Sequence, residues 1–164
     1  MRAAAALLLV LALPGCGLRP LYAGGGSGEV AQTLHSVSLG PVSGRAGWLI
    51  RTALEDRLQQ RGPARYRLDI RLDDDITGFG IRADDAVTRE RRSLRARYQL
   101  VEIGKGTVLL DATAGSDVGI DVVSSDYATV AAEQTALERL SKEVADQIVA
   151  RIALYASRNR GAAR

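Results

Sequence analysis

Cysteine and histidine are almost absent from this sequence: Cys16 and His35 are the only residues of their kinds. A single thiol excludes an intramolecular disulfide, so the fold must hold by its apolar core. One histidine cannot build a multi-histidine metal site, and no second thiol is present for a Cys–His nucleophile pair. His35 reads as a surface or partly buried strand residue. Aromatic residues make up 4% of the chain and there are four prolines. No apolar run reaches the roughly 20 residues that a membrane-spanning helix needs. Neither sign of charge dominates: 22 basic residues stand against 19 acidic ones, a formal net charge of +3.

The N-terminus carries the strongest local signal. Arg2 is followed by the apolar run Ala3 to Leu13, the length of a secretory h-region. The run ends in Leu13-Pro14-Gly15-Cys16, which resembles a bacterial lipobox. Its chemistry needs a small residue before the cut and a thiol after it, because the thiol receives the diacylglycerol. Residues 1–15 are therefore expected to be a lipoprotein signal peptide, with lipid attached to Cys16. Export removes nucleic acid as a partner for the mildly basic chain. Lipid headgroups, lipid A phosphates and acidic protein surfaces remain.

After the acylated cysteine, residues 16–33 read as a flexible linker containing Gly24-Gly25-Gly26-Ser27-Gly28. One domain is expected over 34–157, with a basic tail at 158–164. Leu34 to Leu39 alternates weakly and predicts a short strand. Ser43 offers an N-cap for a helix carrying Trp48, Leu49, Ala53, Leu54 and Leu58, stopped by Gly62-Pro63. Tyr66, Leu68, Ile70 and Leu72 then alternate with polar residues as a half-buried strand. Asp73 to Asp85 reads as a polar connection, with Gly78-Phe79-Gly80-Ile81 as a turn lacking the lysine and threonine of a phosphate-binding loop. Asp73-Asp74-Asp75 lacks the glycine and distal glutamate of a calcium loop.

Leu94, Ala96, Tyr98 and Leu100 form a third alternating stretch. Gly104-Lys105-Gly106 makes a hairpin turn into a fourth, with Val108, Leu110, Ala112 and Ala114 inward. Ser124, Ser125 and Asp126 are N-cap candidates for a long helix. Its apolar stripe is Val130, Leu137, Leu140, Val144, Ile148 and Ile152. The expected fold is an α/β (α+β) two-layer sandwich, order β-α-β-β-β-α, with two helices on one face of a four-stranded mixed sheet. Trp48, Leu54, Leu58, Leu68, Ile70, Tyr98, Leu110, Leu137, Leu140, Val144 and Ile148 are its expected core.

Five arginines, Arg89, Arg91, Arg92, Arg95 and Arg97, crowd the third stretch, and Arg65, Arg67 and Arg71 alternate on the second. Alternate strand residues share a face. Neighbouring strands would thus enrich the helix-free face in guanidinium, which matches phosphate bidentately. Asp69 and Asp111 are the carboxylates placed to balance it. No nucleophile, metal set or cofactor motif accompanies these residues, so an enzyme is not expected.

Several segments together resemble one family. They are Gly17-Leu18-Arg19-Pro20-Leu21-Tyr22, Arg82-Ala83-Asp84-Asp85-Ala86-Val87-Thr88-Arg89, Ala96 to Val101, Tyr127 to Gln134 and Ala145 to Tyr155. In combination and order they resemble the LptE family of lipopolysaccharide-assembly lipoproteins, in its alphaproteobacterial form. The resemblance implies a lipid-anchored outer-membrane protein that plugs the LptD barrel, assists its assembly and binds lipopolysaccharide. Gly17 stands where an aspartate would signal inner-membrane retention. Arg67, Arg71, Arg91, Arg95 and Arg97 become candidates for lipopolysaccharide or partner contact. An accessory lipoprotein of another envelope transport or lipid-trafficking complex is the competing expectation.

Overall fold

The computed structural model describes residues 28–81, 87–123 and 125–162. The expected signal peptide, Cys16, Gly17 to Tyr22, Arg82 to Ala86 and the N-cap candidate Ser124 lie outside the described residues. Among the described residues seven elements follow in order: α1 (Glu29–His35), β1 (Val37–Leu39), α2 (Gly44–Leu58), β2 (Tyr66–Ile81), β3 (Val87–Glu102), β4 (Thr107–Asp121) and α3 (Asp126–Ala162). The sheet runs β1-β2-β3-β4, with β1 parallel to β2 and the other pairs antiparallel. The β-α-β-β-β-α order and mixed four-stranded sheet agree with expectation, and a third helix precedes them.

That helix, α1, corrects the reading of the first strand. Leu34 and His35 belong to it, and β1 begins only at Val37. Val30, Ala31 and Leu34 are buried along one side, an i, i+1, i+4 pattern that a helix alone puts on one face. The helix occupies residues 29–33, read as linker. The His35 ring Nδ1 lies 2.9 Å from the Leu58 carbonyl, fastening α1 to the end of α2. That helix stops four residues before the glycine taken as its signal: Gln59 adopts the left-handed conformation, φ 44°, and Gly62 turns later in the loop. Ser43 is the N-cap residue but makes no side-chain capping bond. At α3, by contrast, the Ala128 N–H donates to Ser125 Oγ at 3.4 Å. The same helix continues through Ala162, past the expected start of the tail.

The largest correction concerns the polar connection. Asp73 to Ile81 is strand, so the expected turn at Gly78-Phe79-Gly80-Ile81 and the solvated aspartate turn are both absent. β2 and β3 are each 16 residues long and stay in register from Tyr66↔Glu102 to Ile81↔Val87. Aspartate and glycine have poor strand propensity, but ladder pairing with a long partner overrides it. Here Asp73 faces Arg95, Asp74 faces Leu94 and Thr77 faces Arg91 across the ladder.

Both layers meet in one core, in which Ile50, Leu54, Leu68, Leu94, Leu100, Leu140, Val144, Ile148 and Ile152 have no solvent exposure. Two expected core residues lie elsewhere. Trp48 is 64% exposed on the outer side of α2, and Leu110 is only half-buried. On α3, Val130 is 48% exposed while Thr129 is buried, so the helix rotates its first turn away from the stripe read from the sequence. β4 has a bulge: Leu100 pairs Leu110 but Val101 pairs Val108. The extra residue shifts Val108 onto Val101's side of the sheet, and it ends 48% exposed instead of inward.

Candidate functional site

The helices cover one side of the sheet and leave the other bare. Cross-strand partners share a face, so the register fixes the composition of the bare side. It carries Arg67, Arg71, Arg89, Arg91, Arg95 and Arg97 together with Asp69, Asp73, Asp75, Asp111, Asp117 and Asp121. All five candidate arginines therefore come together on one face. That face is not uniformly basic, because equal numbers of guanidinium and carboxylate groups occupy it.

Most of these charges are matched. Arg67 grips Asp69 with Nε at 2.8 Å and Nη2 at 2.9 Å. Arg89 reaches Asp121 at 2.9 Å and Arg95 reaches Asp117 at 2.6 Å. Arg95 also donates to the Ser116 carbonyl at 3.1 Å. It can lie flat because its cross-strand neighbour is Gly115, where a Cβ would fall 2.4 Å from Arg95 Cδ. Arg97 reaches Asp111 at 3.2 Å, and Gln99 donates to the same carboxylate at 2.8 Å. These bonds, from Arg97 first and Gln99 second, hold the Asp111 carboxyl below the usual carboxylate range. Arg91 sits 5.4 Å from the centroid of the Phe79 ring, a cation–π contact.

Arg92, which looks equivalent in sequence, points the other way. Two of its nitrogens hold Asp74 at 2.8 and 2.6 Å, and a third donates to the Glu133 carbonyl of α3 at 2.9 Å. It ties helix to sheet on the covered side. Arg65 pairs Glu102 at 3.6 Å beside the hairpin turn and is not part of the array. Asp69 and Asp111 were legible as balancing groups. Asp117 and Asp121 were not, because their strand was read as ending at Ala114.

A hollow of about 350 Å³ opens on this face, lined by Pro41, Asp69, Ile70, Arg71, Arg97 and Gln99. Its wall depends on Gly40. A Cβ there would fall 2.7 Å from Asp69 Oδ1 and 3.3 Å from the Leu68 carbonyl, so a larger residue would push the Asp69 carboxylate aside where the β1–α2 loop brings Pro41 over the strand. A larger polar groove of about 560 Å³ lies a few ladder positions away, at the hairpin-turn end of the sheet, between α1, the β3–β4 turn and the end of α3, with Arg65, Glu102, Lys105 and Tyr155 among its walls. Among the described residues no group of three or more His, Cys, Asp or Glu is arranged to hold a metal ion. Nor is any helix among them long and apolar enough to cross a membrane.

The fold has known counterparts. A crystal structure from Caulobacter crescentus CB15 superposes with a TM-score of 0.65 at 25% identity, covering 78% of this chain and 96% of that one. The rare lipoprotein B of Shewanella oneidensis gives 0.55 at 14% identity, over 76% and 97% of the two chains. A minor lipoprotein from Acinetobacter baumannii gives 0.55 at 13%, over 72% and 88%. At such identities the last two show a shared fold alone. No curated protein matches the sequence. A family model described as LptE, lipopolysaccharide-assembly, matches residues 31–152, which takes in the core, the charged face and most of α3. The chain belongs to the LptE family of lipopolysaccharide-assembly lipoproteins.

Proposed function

We propose that this protein is an outer-membrane lipoprotein, anchored through Cys16, that partners and plugs an LptD-like barrel and assists delivery of lipopolysaccharide to the cell surface. In this reading residues 1–15 are removed, the domain stands on the periplasmic side within the barrel, and neither a cofactor nor a catalytic step takes part. One observation carries it beyond family membership: the two sides of the sheet differ completely. The inner side packs its apolar half under α2 and α3, while the outer side carries arginine and aspartate in equal number, most of them paired. A barrel interior is polar and wet, and an array of opposed charges suits it. Such arrays set orientation and register more than raw affinity. Arg67, Arg71, Arg91, Arg95 and Arg97 are the proposed contacts, to barrel carboxylates or to lipopolysaccharide.

Purification of the tagged full-length protein from outer membranes, followed by mass spectrometry, tests the reading. The expected result is an LptD-type barrel in near-stoichiometric amount. Recovery with the components of a different envelope transporter, and no such barrel, would overturn it.

A further inference from the structure

Arg71 and Arg97 stand directly opposite one another across the β2–β3 ladder. Like charges at such positions repel, with Cβ atoms about 5 Å apart. Elsewhere on this face an arginine meets an aspartate or an aromatic ring. Here Arg71 is exposed and, among the described residues, forms no ion pair. Its near carboxylate, Asp69, lines the same hollow, but both of its oxygens are taken by Arg67. Asp73 faces Arg95 and is not part of the hollow's wall. Arg97 has Asp111, held by long bonds of 3.2 and 3.4 Å, while Gln99 holds the same carboxylate more closely at 2.8 Å.

We infer that the Arg71–Arg97 hollow is a binding site for a phosphomonoester dianion, with Asp111 as its built-in competitor for Arg97. The physical case is one of number and shape. Two guanidinium forks require two negative charges, and a carboxylate brings one. A phosphate monoester carries close to two at neutral pH and presents three acceptor oxygens. A planar carboxylate is used up by a single fork, whereas a tetrahedral group can serve one fork with each of two oxygen pairs. The volume of about 350 Å³ admits a phosphorylated sugar. On binding, Arg97 turns from Asp111 to the ligand, and Gln99 keeps Asp111 in place. A phosphorylated sugar headgroup of a glycolipid and a soluble sugar phosphate share this chemistry; only the choice of the lipid rests on the function proposed above.

The test titrates detergent-solubilised full-length protein with inorganic phosphate, read by calorimetry or by arginine side-chain NMR shifts. A second arm uses detergent micelles with and without monophosphorylated lipid A. Arg71→Gln should weaken phosphate binding about tenfold, the loss of one charge-assisted contact. Asp111→Asn should tighten it by about threefold or more, because the competitor is gone. Arg158→Gln, on α3 and outside the hollow's wall, removes one exposed charge and should leave binding within about twofold. Melting curves confirm that each variant folds. Equal binding by wild type and Arg71→Gln, or weaker binding by Asp111→Asn, would overturn the site. An Arg71-dependent response to lipid A micelles assigns the headgroup as ligand, and a response to phosphate alone assigns a soluble monoester. Co-purification of Arg71→Gln with the barrel, measured in parallel, separates failure of this site from failure of the partner reading.

Discussion

The side-chain amide of Gln147 on α3 pairs with both backbone groups of Gly115 on β4: the Gly115 N–H donates to Oε1 at 3.1 Å, and Nε2 donates to the Gly115 carbonyl at 3.2 Å. β4 is an edge strand, and its outward N–H and C=O groups form a template for another chain. Gln147 occupies one such position as a neighbouring strand would. Gln147→Ala should lower stability by about 1 kcal/mol, since water replaces part of what is lost. Self-association at high concentration should rise as the edge opens. Melting and sedimentation check the two effects. A variant with unchanged melting and no added association would show that the clamp contributes nothing.

Arg92 and Asp74 fasten α3 over the far half of the sheet. Side-chain exposure is 12% for Arg92 and 25% for Asp74, so removing either leaves a poorly hydrated partner. Arg92→Ala should destabilise by about 2–3 kcal/mol. Arg92→Leu combined with Asp74→Leu should recover part of that, because neither charge is then left alone. Urea unfolding of the three proteins gives the comparison. A double variant less stable than the single one would contradict it.

The two longer helices are joined by Arg57 on α2 and Asp146 on α3, a bidentate pair whose second bond is 3.1 Å. Hydrogen bonding from Arg57 is the main cause of a depressed Asp146 carboxyl, partly opposed by burial. A carboxyl depressed in the folded state contributes stability that is complete above its unfolded value, about 4. That contribution disappears as pH falls through the lower folded value. Asp146→Asn should therefore be less stable than wild type at neutral pH. The difference should shrink only below about pH 4. Melting temperatures from pH 7 to pH 2 would show the convergence, and a constant difference would refute it.

Leu140 has no solvent exposure in the core. Leu140→Asp buries an unpaired charge at a cost of several kcal/mol, comparable with the whole stability of a small domain. Melting should be severely lowered or lost. A shift of a degree or two would mean that this face of α3 is not the buried one.

The anchoring proposal turns on one atom, the Cys16 sulfur. Cys16→Ser should abolish incorporation of labelled palmitate and leave the precursor uncleaved or released. Equal labelling of variant and wild type would end the lipoprotein assignment.

Alternation along Tyr66 to Leu72 and Leu94 to Leu100 was enough to place Leu68, Ile70, Tyr98 and Leu100 inward and Arg67, Arg95 and Arg97 outward. The stripe of α3 was legible from Leu137 to Ile152 for the same reason. What escaped was the continuation of β2 through Asp73, Asp74 and Asp75, where composition argues for a turn and only a partner strand stabilises an extended backbone. Trp48 misled because large apolar residues are usually buried, and helix periodicity does not say which of two adjacent faces meets the sheet. Val108 misled because a bulge shifts alternation by one residue without marking the sequence.

Strand alternation alone dictates a face rich in arginine, because successive strand side chains point to opposite sides whatever the strand pairs with. The sequence also dictates the apolar layer beneath, through the periods of its strands and its last helix. Which arginines are neutralised depends instead on how the strands pair. Arg67 meets Asp69 on its own strand, but Arg95, Arg89 and Arg97 meet Asp117, Asp121 and Asp111 across a ladder. The register of that ladder is set by pairing and a bulge between distant segments. The same register sets Arg71 against Arg97, because which side chains oppose one another is a property of two strands together and of neither alone.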